Sequence, residues 1–160
     1  GKWHAVMSDE LLLGKRWLEP GTKRAHLYLK RNGRTEAVLV FRRPKSDISW
    51  RDEGGRIRFD LRLSLKAVIN EHSAGLTLDE IVRRAEEKIR DEIRRTYIEG
   101  IRRQADVLNL LEPVYRNDLR LYRKMAAGGR FPLDETSLRD IDVKVTIAST
   151  GKTTNSFRVR

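Results

Sequence analysis

The sequence predicts a single α+β domain, with a mainly antiparallel sheet against which a long amphipathic helix and shorter helices pack. Three observations lead there. Ile57, Phe59, Leu61, Leu63 and Leu65 alternate with Arg56, Arg58, Asp60, Arg62 and Ser64, a period of two that buries one strand face and leaves the other charged. Ile81, Val82, Ala85, Ile89, Ile93, Tyr97 and Ile101 then follow helical spacing and form one continuous stripe. A last alternating segment, Ile141 to Ile147, comes after the helices. Antiparallel strands with helices on one face are the simplest architecture that buries all three.

Taken in order, Trp3 to Met7 reads as a strand, Ser8-Asp9 as a turn and Leu11-Leu12-Leu13 as a return. Pro20-Gly21-Thr22 is a break at which Thr22 can cap a helix. Residues 23–31 are expected to form a short helix stopped by Asn32-Gly33, although Ala25, Leu27 and Leu29 also alternate as a strand would. Ala37 to Phe41 is apolar on both sides, which predicts a central strand covered on both faces and ended by Pro44. Ile48-Ser49-Trp50 leads into a Gly54-Gly55 turn, from which the long strand runs to Asn70-Glu71.

Ser73-Ala74-Gly75 breaks the pattern, and Thr77-Leu78-Asp79-Glu80 fits a capping box. The helix that follows is expected to reach about Gln104, with Glu80/Arg84, Glu86/Arg90, Asp91/Arg95 and Glu99/Arg103 paired at spacing four on its polar side. Pro113 either kinks this rod or opens a second helix from Val114 to Met125, closed by Gly128-Gly129. Gly151-Lys152-Thr153-Thr154 begins a polar tail, expected to be flexible at its end.

Composition narrows the function classes. The 160 residues are 39% apolar and 36% charged, which suits one polar globular domain. No stretch approaches the roughly 20 apolar residues of a membrane-spanning helix, and Gly1-Lys2-Trp3 does not open a signal peptide. Cysteine is absent, which removes disulfides, thiolate metal sites and a cysteine nucleophile together. The net charge of +11 is uneven: residues 1–45 hold eleven Lys/Arg against four acids, while residues 46–109 hold thirteen of each. Such a surplus attracts anionic lipid, nucleic acid or an acidic protein face.

Catalytic patterns are missing from the sequence. His4, His26 and His72 lie at no metal-ligand spacing, and no Gly-x-Ser-x-Gly elbow occurs. Gly151-Lys152-Thr153 matches only the end of a Walker A loop, because position 146 is Thr where that loop needs glycine. Glu71 and Asp106 stand at junctions, where a carboxylate serves local backbone NH groups; with His72 they are the one set that could form an acid–base site. A nucleic-acid-binding module is the alternative, resting on the charge and on Trp3, Trp17 and Trp50. It lacks a recognisable module, and the long helix is near charge balance.

The order of motifs resembles the C-terminal domain of Ger(x)C-type spore germination proteins, the lipoprotein C subunits of spore nutrient receptors. The residues that carry this are Ala5 to Gly14 with Trp17-Leu18, the strand Ala37 to Phe41, Gly54-Gly55, the strand Arg56 to Ile69 with Asn70-Glu71, Asp106-Val107-Leu108, Tyr115-Arg116, and Val143 to Ile147 with Gly151. Asn109-Leu110 stand where the family usually has glycines. The resemblance marks Glu71, Asp106, Arg116 and Gly151 as structural motif residues. It implies no enzymatic activity, no cofactor and no metal. It also implies a C-terminal fragment of a longer lipoprotein, anchored by lipid at the outer face of the spore inner membrane beside integral-membrane receptor subunits. An anionic membrane surface is a further expected partner.

Overall fold

The computed structural model describes residues 7–19 and 24–154. Within them a four-stranded sheet has the order β1-β2-β3-β4, formed by β1 (Arg24–Arg31), β2 (Arg34–Glu53), β3 (Arg56–Ser73) and β4 (Leu138–Thr154). Three helices separate the last two strands: α1 (Leu78–Arg102), α2 (Leu111–Asn117) and α3 (Leu119–Ala126). A short 3-10 turn, Leu13–Trp17, precedes the sheet.

Two of the three strand pairs are antiparallel, in agreement with the predicted fold class, and β3–β4 is parallel. Direction is invisible to a period-two pattern. Here it follows from the crossover: α1, about 37 Å long at 1.5 Å per residue, carries the chain back along β3. Leu138 therefore enters opposite Phe59, at the start of β3.

The segment expected as a helix at 23–31 is strand β1 from Arg24, with Ala25, Leu27 and Leu29 buried. Asn32 and Gly33 (φ 51° and 78°) make a two-residue hairpin turn instead of a helix terminus. This correction has a physical cause, because residues with positive φ end helices and reverse hairpins equally well. Pro44 does not end its strand either. The register of β2 slips between Arg42 and Lys45, and that irregularity accommodates a residue with no NH to donate. Residues 151–154, where a polar tail flexible at its end is expected, continue β4. The expected strand residues Trp3 to Val6 and the Thr22 cap lie outside the described residues; Met7 is not in a strand.

Leu27, Leu39, Phe41, Phe59, Leu61 and Leu63 line the inner sheet face, and Ile81, Ala85, Ile89, Ile93 and Tyr97 of α1 close over it. Burying each such side chain contributes about 1.5–3 kcal/mol, so this stripe dominates the packing. The capping box forms as predicted: Glu80 N donates to Thr77 Oγ1 (3.1 Å) and Thr77 N to Glu80 Oε1 (3.2 Å). The Thr77 NH and the Thr77 hydroxyl, which donates to the same Oε1 (3.1 Å), hold the Glu80 carboxyl below its ordinary range. Pro113 sits in the first turn of α2, as the second-helix reading expects, and a break at Asp118 separates α2 from α3.

The polar flanks of α1 behave differently from the expected ladder of pairs. Glu99–Arg103 forms at 2.9 Å. Arg84, Glu86 and Arg90 reach sideways to the sheet instead. On the β1 edge, Arg84 donates to the Lys30 carbonyl and Lys88 to that of Tyr28, while Arg16 covers that of His26. On the β4 edge, Arg90 donates to Ile141 O (3.1 Å), Arg94 to Leu138 O (2.8 Å), and Glu86 accepts from Val145 N (3.0 Å). Burial of Lys88 lowers its pKa from the ordinary lysine range. One helix thus ties down both outer strands.

Candidate interaction surface

The 3-10 turn is fastened to α1 through two helix residues, Thr96 and Glu92. Gly14 N donates to the buried Thr96 Oγ1 (2.9 Å), which donates in turn to Leu11 O (2.7 Å). A Cβ on Gly14 would lie 2.4 Å from Glu92 O, so only glycine allows this approach. Trp17, fully buried, meets Phe41 edge-to-face with ring centroids 5.1 Å apart and donates its indole NH to Glu92 Oε1 (2.9 Å). The Arg16 guanidinium lies over the indole at 4.5 Å and pairs with the same carboxylate at 3.2 Å. The Gly14 and Trp17 quoted in the resemblance are therefore anchors of one structural joint.

Asp106 organises the next joint. Its two carboxylate oxygens accept from Leu110 N and Leu111 N, each at 2.9 Å, which supplies partners to the open NH groups at the start of α2. Beside it, a groove of about 510 Å³ lies between the 3-10 turn, β2 and α2. Leu18, Ile48 and Trp50 give it apolar character, and Arg116, ion-paired with Glu112 at 3.7 Å, lines it from α2.

From there an exposed stripe runs over the α2–α3 hairpin. Tyr115 is 52% exposed, its ring edge-to-face with Tyr122 at 5.0 Å, and Leu119 between them is 40% exposed. Arg120, Arg123 and Lys124 stand exposed on α3, a helix with no buried residue. Tyrosine and arginine beside an uncovered leucine is the composition of a protein contact surface. Only Tyr115-Arg116 was legible beforehand; the spacing of 115, 119 and 122 carries the signal, but the break at Asp118 interrupts it.

The other predicted motif residues lie elsewhere. Glu71 is inside β3 rather than at its end, exposed, in register with Val38 and Lys152. The helix start is held by Thr77 and Glu80 instead. His72, next along the strand, pairs with Ala37 and lies 3.0 Å from Ser73 O through Nδ1. Neither approaches Asp106, which follows the far end of α1. Gly151 lies within β4, so Gly151-Lys152-Thr153 is strand and not a phosphate loop. Among the described residues, no group of three or more His, Asp or Glu side chains could hold a metal. Trp17 is core and Trp50 packs against it, so neither offers a free stacking platform for bases. Among the described residues, no helix is long and apolar enough to cross a membrane.

A second cavity of about 310 Å³ lies between the β2–β3 turn and α3. Nearby, Tyr97 donates to Asp134 O (2.6 Å), and burial pushes its hydroxyl pKa up to about 12. Hydrogen bonds from Thr136, with Arg56 beside it, hold the Asp134 carboxyl below its usual range.

The family model described as "Spore germination B3/ GerAC like, C-terminal" matches residues 1–151. The chain belongs to that family. The GerAC-like chain also shares its fold with the crystal structure of the GerBC protein, at a TM-score of 0.70 and 13% identity. That match covers 89% of this chain and 46% of GerBC, so the chain spans less than half of that protein. No curated protein sequence matches it. The Ger(x)C-type resemblance drawn from the motif order is thereby established at the level of the family.

Proposed function

We propose that this chain is a non-enzymatic assembly or signalling domain of a spore nutrient-germinant receptor. It belongs to a lipoprotein subunit held at the outer face of the spore inner membrane beside integral-membrane subunits. The observation that carries the reading is the family match across residues 1–151. The distance between Glu71-His72 and Asp106, set by the length of α1, supports the non-enzymatic part. The exposed Tyr115, Leu119, Arg120 and Arg123 supply a face suited to a partner subunit.

Spores carrying Arg120→Glu and Arg123→Glu in the full-length protein test this. Nutrient-triggered germination should fall while receptor-independent germination stays normal and the protein level is unchanged. A normal nutrient response from spores in which the whole domain is deleted refutes the reading.

A further inference from the structure

The sheet face turned away from α1 carries its charges in rows, and the rows differ. Near the start of β3, Asp60 is paired with Arg139 (3.3 Å) and Arg51 (3.6 Å). In the next row Arg62 stands between Asp47 and Asp142, so signs alternate across three strands. The two rows beyond break this rule. Lys45, Ser64 and Lys144 are in register, and so are Arg24, Arg42, Lys66 and Thr146. All five cations are exposed, and among the described residues none makes an ion pair or side-chain hydrogen bond.

Like charges directly opposite on neighbouring strands destabilise a sheet. The fold gains nothing from Arg24, Arg42 and Lys66 side by side, and the rows next to them show that the same sheet can place compensating acids. With strands about 4.8 Å apart and rows about 7 Å apart, the five charges occupy a nearly planar field of roughly 14 by 7 Å. All four strands contribute, including residues outside the basic N-terminal third.

We infer that this face of the sheet binds the surface of an anionic lipid bilayer through Arg24, Arg42, Lys45, Lys66 and Lys144. The residues between them are Ser64 and Thr146, and no aromatic anchor lies within the two rows. A protein interface depends on such buried anchors, and single-stranded nucleic acid on stacking rings, whereas attraction to charged headgroups needs only unpaired cations on flexible stems. The site rests on the sheet's charges alone and not on the receptor reading.

Sedimentation with phosphatidylcholine vesicles, with and without phosphatidylglycerol, tests it. The chain should bind only the anionic vesicles, and added salt should release it. Each cation near such a surface strengthens binding about fivefold, so Lys66→Gln with Lys144→Gln should weaken it roughly 30-fold. Arg120→Gln with Arg123→Gln removes the same charge from α3 and should leave binding within a few-fold of the original. The sheet variant should also melt no lower than the parent, since a like-charge contact has been relieved. Equal binding to both vesicle types, or equal loss in the two double variants, overturns the proposal. So does binding to polyglutamate or duplex DNA without binding to anionic vesicles.

Discussion

Replacing Gly14 with alanine places a methyl carbon 2.4 Å from Glu92 O and 2.6 Å from Ile93 Cα. Both are backbone atoms inside α1, so neither can rotate away. Ordinary contact distance is about 3.5 Å, and the turn must therefore lift from the helix by about 1 Å. Such a shift stretches the Gly14 N–Thr96 Oγ1 bond and loosens the Trp17 indole from Glu92. Overpacking of this kind costs about 1–3 kcal/mol, and each weakened hydrogen bond about 1 kcal/mol. A loss of about 3 kcal/mol corresponds to a melting temperature lower by roughly 6–12 °C for a chain of this size. Gly75→Ala is the control, because nothing lies within 4 Å of a Cβ there and its φ is ordinary. Calorimetry of the two variants should separate them clearly. If Gly14→Ala melts together with Gly75→Ala, the close approach of turn and helix is not what holds this joint.

Asp106→Ala should cost about 2 kcal/mol and speed hydrogen exchange at the Leu110 and Leu111 amides, with Asp106→Asn costing less because one acceptor oxygen remains. Unchanged exchange at both amides would show that the carboxylate is dispensable. Glu92→Ala leaves the buried Trp17 NH without its acceptor and should destabilise by about 1–3 kcal/mol in urea titrations. For Tyr97, the unfolded chain releases its phenolic proton near 10.0 and the folded chain near 12. Stability from this group is therefore complete below pH 10 and declines, at up to about 1.4 kcal/mol per pH unit, as the pH rises through the window to about 12. Tyr97→Phe should lose about 1 kcal/mol at neutral pH yet show a flatter alkaline limb. An identical alkaline decline in both proteins would contradict the assigned burial.

Segments with one dominant local signal could be read without coordinates. The alternation from Ile57 to Leu65, the Thr77–Glu80 box and the stripe from Ile81 to Ile101 each have one low-energy reading, and each appears in the structure. Segments whose signal serves two structures could not. Asn32-Gly33 fits a helix terminus or a hairpin, and pairing of β1 with residues 34–42 decided between them. Spacing four on α1 predicts pairs within the helix, and Glu99–Arg103 forms, but Arg84 and Arg90 bond sheet carbonyls that are distant in sequence. The surface features were harder still. The cationic rows need register across four strands, and the Tyr115–Leu119–Tyr122 stripe needs two helices joined at Asp118. Asp106 was legible as a junction carboxylate because its neighbours in sequence are also its partners in space.

The arms of α1 that reach both outer strands have a consequence for recognition. A visiting peptide can ordinarily join an exposed sheet margin by offering its own backbone as one more strand. Here the carbonyls of His26, Tyr28 and Lys30 on one margin, and of Leu138 and Ile141 on the other, are already engaged by cationic side chains. An incoming strand would have to displace charge-assisted bonds at every second residue from His26 to Lys30, or those at Leu138 and Ile141, before forming its own. Strand donation is therefore disfavoured along these stretches of β1 and β4, where what the domain meets is met through side chains.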